Sequence, residues 1–172
     1  SHGLATHRLD GVVFAARTFT NLSRDHLDFH GDMESYFAAK RRLFLDFSGG
    51  DAIVNADDPY GRRLLAELPD AMSFSLRPDS DATVRPLAPP TLSPDGVEVR
   101  LGTPQGEVSV ASPMIGRPNL ENIAAAVATG VALGLPAEGL AVGASANVVA
   151  PGRLQRIPDP GGRLVVVDYA HT

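Results

Sequence analysis

The N-terminal part of the chain alternates between strand-like and helix-like stretches, and this alternation constrains the fold more than any other feature. Residues 12–19 are rich in β-branched and aromatic side chains, and residues 52–54 form a second short apolar run. The spacing predicts a helix over residues 32–47, with an aspartate N-cap and two glycines after its end, and a second helix over residues 59–68, which begins at a proline. Such alternation is typical of a largely parallel sheet covered by helices, an α/β fold.

The pattern changes after this region. Residues 73–110 are rich in proline and glycine, and the polar–apolar alternation within them predicts the hairpins of a small antiparallel sheet at one edge. Four further segments are predicted: helices over residues 118–133 and 137–146, a linker over 148–156, and a buried strand over 164–167. No partner segment follows that strand, and the chain opens without methionine. We therefore expect an internal piece of a longer protein.

Composition narrows the class of protein. The 172 residues are 44% apolar and 20% charged, which is typical of a globular chain of one domain, or one domain and a small piece. The net charge of −5 and the lack of a basic block argue against a nucleic-acid partner or a membrane surface. No apolar stretch is long enough to suggest membrane insertion. The absence of cysteine excludes disulfides and thiolate metal sites.

The chain contains 14 arginines but a single lysine, Lys40. At 100° per residue, Lys40 falls within the apolar arc of the predicted helix, between Phe44 and Phe47. One interpretation is a snorkelling lysine whose stem packs while its ammonium reaches water. The other is an amine that burial keeps neutral and nucleophilic, able to form a Schiff base or to take up CO₂ as a carbamate, an anion that ligates divalent cations.

Acidic and imidazole side chains crowd the loop before this helix. The cluster holds oxygen and nitrogen donors of the kind that bind Mg²⁺, Mn²⁺ or Zn²⁺, at Asp25, His26, Asp28, His30 and Asp32. Its spacing matches no specific metal motif, and a polar loop with helix-capping acids explains each member equally well. A metal-dependent hydrolase built on this cluster alone would not need Lys40.

Polar side chains that could bind a nucleotide lie in the second half of the chain. Asn119 and Asn122 are three residues apart at the start of a predicted helix, and an amide can recognise a purine edge; helix capping by Asn119 is the alternative. Asp168 ends an apolar strand, where an acid can receive a ribose hydroxyl or cap a following helix. Arg153 could meet a phosphate, although an arginine alone is weak evidence.

Several blocks follow one another in an order known from a single protein family: residues 1–8, 20–33, 36–40, 55–59, 119–122, 152–153 and 168–172. In these blocks the chain resembles the Mur ligase family of bacterial cell-wall synthesis, and within it the branch that adds the third peptide residue. The long block from Thr20 to Lys40 is highly specific, whereas the later blocks are found across the family. Residues 73–110 carry nothing recognisable.

The resemblance implies roles for individual residues. Lys40 matches a carbamylated lysine that binds Mg²⁺ near the reacting phosphate, and His26 matches a magnesium-ligating histidine. The residues implied in substrate and nucleotide contacts are Arg8 at the UDP-muramyl substrate, Asn119 and Asn122 at the adenine, Arg153 near the phosphates and Asp168 at the ribose.

The implied protein is a cytoplasmic, ATP- and Mg²⁺-dependent ligase. It would add a diamino acid, meso-diaminopimelate or L-lysine, to UDP-N-acetylmuramoyl-L-alanyl-D-glutamate through an acyl phosphate. Residues 1–152 would form part of a P-loop-type central ATP-binding domain, and residues 153–172 a linker and the start of the C-terminal domain. The 172 residues contain no G-x-x-x-x-G-K-[ST] loop, so we expect no turnover from this segment alone. The alternative is a non-catalytic α/β module that binds a nucleotide or a partner.

Overall fold

The computed structural model describes residues 2–24, 27–146 and 150–169. Along this part of the chain the elements are α1 (His2–Ala5), β1 (Ala16–Phe19), α2 (Leu27–His30), α3 (Met33–Leu45), β2 (Asp51–Asn55), α4 (Pro59–Glu67), β3 (Met72–Phe74), β4 (Arg85–Pro86), β5 (Thr91–Ser93), β6 (Gly96–Thr103), β7 (Gly106–Ser112), α5 (Arg117–Ala132), α6 (Ala137–Ser145), β8 (Gln155–Ile157) and β9 (Val165–Val167).

A parallel sheet with the strand order β1-β2-β3 forms the base of the fold. Neighbouring residues of a strand point to opposite faces, and Ile53 and Val54 of β2 are both fully buried. Ile53 packs into a core with α5, whereas Val54 packs with side chains of α3 and α4. Both faces are therefore covered by helices, and the predicted parallel α/β arrangement is confirmed.

Strands β4–β7 form a separate antiparallel sheet in which β6 pairs with all three others. Val97 and Leu101 of β6 and Val108 of β7 are fully buried, while Glu98 and Arg100 between them are exposed. This alternation gives the sheet one face in the core and one in water. The antiparallel hairpins predicted between residues 73 and 110 are thus confirmed.

Helix α5 connects the two sheets. Its buried side chains, such as Leu120 and Val127, share one core with residues of both sheets and with Leu140 of α6. A hydrogen bond of 2.8 Å between the hydroxyls of Thr18 and Thr129 ties α5 to β1. The predicted helices over residues 118–133 and 137–146 are confirmed to within one residue at each end.

Helix α3 begins as predicted but ends earlier. Asp32 is the N-cap, and its carboxylate accepts from the backbone N–H of Ser35 at 2.7 Å. The helix ends at Leu45, so Phe47 lies outside it. Arg17 of β1 donates to the carbonyls of Phe44 and Phe47, at 3.1 and 2.7 Å, and so occupies acceptors that a longer helix would use.

The predicted strand over residues 12–19 was too long. Strand β1 begins at Ala16, because its parallel partner β2 begins at Asp51, the residue opposite Ala16. Val12 and Val13 precede this pairing and are 42% and 76% exposed. Strand propensity alone does not decide where a strand starts; the extent of the partner does.

The C-terminal segment also departs from the prediction. The strand over residues 164–167 was predicted to be buried, but Val165 and Val167 of β9 are exposed. Strand β9 pairs antiparallel with β8, which precedes it in the chain. Strand β8 itself overlaps the predicted linker over residues 148–156, of which residues 148 and 149 lie outside the described part. Among the described helices, none is long and apolar enough to cross a membrane.

Candidate functional site

The amine of Lys40 is held by protein atoms on the buried side of α3. Lys40 is half-buried, and its Nζ donates to the backbone carbonyl of Asn21 at 2.8 Å. The same nitrogen lies 5.1 Å from the ring centre of Tyr36 and 5.8 Å from that of Phe19. A carbonyl oxygen and two aromatic faces all stabilise a positive charge, so these surroundings suit an ammonium.

The apolar arc of α3 sets this position. Tyr36, Phe37 and Phe44 are buried in one core with Phe19, as the helical spacing predicted. Lys40 lies on the same side, so its stem packs along this core while its amine reaches Asn21. The stem of Lys40 therefore packs as the snorkelling interpretation predicted. Its amine, however, binds a carbonyl of the protein where that interpretation expected water.

Two side chains from the end of β2 hold the loop that carries Asn21. The Nδ2 of Asn55 donates to the carbonyl of Thr20 at 2.7 Å, and a carboxylate oxygen of Asp58 accepts from the N–H of Leu22 at 3.0 Å. No role was predicted for Asn55 or Asp58 from the sequence. The available signal was an amide and an acid directly after a buried strand, at the carboxyl edge of a parallel sheet.

A cleft of about 510 Å³ lies between the β8–β9 hairpin and the start of α5. Asn119 and Arg153 both line it, together with Asp95 and Arg156, which form an ion pair of 2.8 Å. An amide that can meet a base edge and a guanidinium that can meet a phosphate thus open into one cavity. Asn122 is exposed on the next turn of α5.

The structure excludes one alternative for Asn119. The N-cap of α5 is Gly116, and Asn119 lies inside the first turn, where its Nδ2 donates to the carbonyl of Ile115 at 2.9 Å. Helix capping by the side chain of Asn119 was therefore wrong.

Asp168 shapes the turn that presents Arg153. Its carboxylate accepts from the N–H of Leu154 at 2.8 Å, and the N–H of Tyr169 donates to the carbonyl of Gly152 at 2.6 Å. The guanidinium of Arg153 lies 5.7 Å from the ring centre of Tyr169.

One predicted site residue, Arg8, stands apart from these groups. Arg8 is exposed in the turn after α1, and its N–H donates to the carbonyl of Gly3 at 2.9 Å. His26, like Asp25, lies outside the described residues. Of the same cluster, His30 stacks on Tyr36 with ring centres 4.6 Å apart. Within residues 2–24, 27–146 and 150–169, no group of three or more His, Asp or Glu side chains is placed to hold a metal.

Comparison with known proteins identifies the class. Residues 1–130 match the family described as the Mur ligase middle domain. The match covers most of the chain, and the chain belongs to this family. The parallel sheet and helix α3, which carries Lys40, lie within the residues that match this model.

Two similar sequences and one solved structure carry the name of the same enzyme. The chain is 44% identical over 180 residues to the UDP-N-acetylmuramoyl-L-alanyl-D-glutamate–2,6-diaminopimelate ligase of Geobacter metallireducens, covering 100% of this chain and 35% of that protein. It is 44% identical over 174 residues to the ligase of the same name from Gloeobacter violaceus, again with 100% and 35% covered. A solved structure of a ligase of this name superposes with a TM-score of 0.83 at 35% identity, covering 99% of this chain and 36% of that one. The chain thus spans about a third of the length of these relatives.

Proposed function

We propose that this chain is the middle part of a cytoplasmic ligase of peptidoglycan synthesis that joins a diamino acid to UDP-N-acetylmuramoyl-L-alanyl-D-glutamate at the expense of ATP. The observation that carries the proposal is the 44% identity, over the whole chain, to ligases named for this reaction. Their names favour 2,6-diaminopimelate over L-lysine as the amino acid added.

Lys40 is proposed to act as a carbamate. Its neutral amine nitrogen would attack the carbon of CO₂, forming an N–C bond and releasing a proton to solvent. The product replaces a cation with a carboxylate-like anion. Mg²⁺ prefers oxygen donors and is repelled by an ammonium, so Lys40 would ligate it through the carbamate oxygens only. The carbonyl of Asn21 and the two aromatic rings around Nζ would hold the lysine before it takes up CO₂. Bound Mg²⁺ would neutralise the substrate carboxylate and the ATP phosphates, which are all anionic and must be brought together. His26 is proposed as a second ligand.

The nucleotide is proposed to bind in the cleft at the start of α5. Support comes from Asn119 and Arg153 lining the same cavity, and from Asp168 fixing the turn next to Arg153. Asn119 and Asn122 would meet the adenine, Arg153 the phosphates and Asp168 the ribose. Arg8 would contact the UDP-muramyl substrate.

A division of the chain follows from this assignment. Residues 1–152 would belong to the ATP-binding middle domain, and residues 153–172 would lead into the next domain. The exposed apolar side chains of β9 are consistent with a strand that begins another unit.

A chimera tests the proposal. The 172 residues replace the matching segment of the Geobacter metallireducens ligase, and formation of the UDP-muramyl tripeptide is followed with ATP, UDP-N-acetylmuramoyl-L-alanyl-D-glutamate and meso-diaminopimelate. We expect product from the chimera and a loss of roughly 100-fold or more in the Lys40→Ala variant, the order seen when a preorganised charge contact is removed.

Two controls separate the alternatives. Lys40→Arg keeps a cation but cannot form a carbamate, so it should be as inactive as Lys40→Ala, whereas added formate or acetate should partly restore Lys40→Ala. Full activity in Lys40→Ala would refute the role of the carbamate. A folded chimera that binds ADP but forms no product would favour the binding-module alternative.

A further inference from the structure

The acceptor that holds the Lys40 amine is a backbone carbonyl fixed on both sides. Asn21 lies between Thr20, whose carbonyl accepts from Asn55 Nδ2 at 2.7 Å, and Leu22, whose N–H donates to Asp58 Oδ2 at 3.0 Å. The N–H of Leu22 and the carbonyl of Asn21 belong to one planar peptide group, so the bond to Asp58 holds that group directly, and the bond from Asn55 holds the preceding group. The carbonyl of Asn21 is therefore a rigid acceptor for Lys40 at 2.8 Å.

The two side chains that fix this loop are themselves held. Asn55 is 6% exposed, and its Oδ1 accepts from the N–H of Asp57 at 2.8 Å. Asp58 is the N-cap of α4, where its Oδ1 accepts from the N–H groups of Tyr60 and Gly61 at 2.8 and 2.9 Å. One oxygen of Asp58 thus starts a helix while the other holds Leu22.

We propose that Asn55 and Asp58 are positioning residues that place the Lys40 amine through the carbonyl of Asn21. A lysine side chain is long and flexible, so the location of its amine is set by the groups that bind it. The consequence for catalysis rests on the proposed function, in which Lys40 becomes a metal ligand. Residues that orient a metal ligand from behind typically contribute 10–100-fold to metal affinity or activity.

Adjacent acids provide a matched pair of variants. Asp58→Asn keeps the side-chain oxygen that caps α4 and replaces the oxygen that accepts from the Leu22 N–H with an NH₂ group, which cannot accept. Asp57→Asn makes the same change one residue earlier, where the carboxylate accepts from Ser75 Oγ and from the N–H of Leu76, both at 2.7 Å. The control therefore loses a comparable bond, but one that ties the residues directly after β3 and not Asn21.

The single lysine makes the readout direct. With ¹⁵N-lysine labelling, the one Nζ signal of the 172-residue chain reports on Lys40, and its proton exchange measures how well the amine is held. Loss of a hydrogen bond worth about 1 kcal/mol should speed this exchange roughly five-fold in Asp58→Asn. In Asp57→Asn the Nζ proton exchange should stay at the wild-type rate, even if this variant loses as much melting temperature as Asp58→Asn does.

Two outcomes would overturn the inference: a folded Asp58→Asn chain with unchanged Nζ exchange, or equal changes in both variants. If Asp58→Asn does not fold, the same exchange measurement is made on Asp58→Ser. Serine keeps one oxygen to cap α4 but has no second oxygen to accept from the N–H of Leu22. In the ligase chimera, Asp58→Asn should lower kcat roughly 10–100-fold with little change in the KM for ATP. An inactive wild-type chimera would count against the proposed function only, since the Nζ exchange still measures the positioning.

Discussion

Replacing Arg17 by methionine should destabilise the fold through the end of α3. Arg17 lies on β1 and donates to the carbonyls of Phe44, Phe47 and Gly50, at 3.1, 2.7 and 2.8 Å. The last carbonyls of a helix lack partners within the helix, and a cation at that end is favoured by the helix dipole. Methionine keeps the apolar stem but supplies no donor.

The expected loss of stability is the contribution of the lost hydrogen bonds minus a burial cost of the guanidinium that methionine removes. Each bond is worth roughly 1 kcal/mol net, because the three acceptors lie at the end of α3 or just after it, where water can replace the lost donor. Against this, the Nε of Arg17 is buried and has no hydrogen-bond partner among the described residues, a cost of about 1 kcal/mol that methionine removes. The expected loss is therefore about 2 kcal/mol, or roughly 4–8 °C in Tm for a chain of this size.

Thermal unfolding followed by circular dichroism measures this loss. Arg17→Lys is the control, because it restores the charge and can bond one or two of the three carbonyls but not all of them. It should lose about half as much stability as Arg17→Met. A Tm for Arg17→Met within about 1 °C of the wild type would show that these bonds contribute nothing net, and the reasoning would be wrong.

Two further predictions concern a glycine and an acid. Gly61→Ala should lose roughly 1–3 kcal/mol in thermal unfolding despite the better helix propensity of alanine, because the new Cβ would lie 2.0 Å from the backbone oxygen of Asn55. Gly130→Ala should lose less, because its Cβ would meet side-chain atoms of Leu140 and Leu135, which can move, and no backbone. The reverse order of the two losses would contradict this explanation. The side chain of Arg100 is the main cause that lowers the pKa of Glu107 from 4.5 to about 2, so the ion pair stabilises the fold above pH 4.5 and is lost as the pH falls towards 2. The gap in Tm between wild type and Glu107→Gln should accordingly close over that range, and a gap independent of pH would exclude the ion pair as its source.

Local signals predicted the elements well where one residue type dictates the conformation. Asp32 and Pro59 mark the helix starts they were expected to mark, since capping and the fixed φ of proline act within a few residues. The apolar arc of α3 likewise placed Lys40 beside Tyr36, because helical periodicity alone decides which side chains share a face. The resemblance to the Mur ligase family rested on such contiguous blocks and is confirmed.

The candidate site was only partly predictable. Its individual members could be proposed from their chemistry, but not the neighbours they would meet. Asn119 and Arg153 line one cleft although 34 positions separate them, and nothing in either segment indicates this. Asn55 and Asp58 had no predicted role, because their partners lie in a loop that reaches them only after β1 and β2 pair.

The sequence by itself determined the helix caps, the apolar faces and the position of the only lysine, since each depends on residues within a turn or two of one another. Tertiary structure decided that β1 starts at Ala16 and that β9 pairs with β8 in an exposed hairpin. It also decided that the amine of Lys40 meets the carbonyl of Asn21. Hydrogen bonding and burial between distant segments depend on which strands become neighbours, and local propensity does not encode that choice.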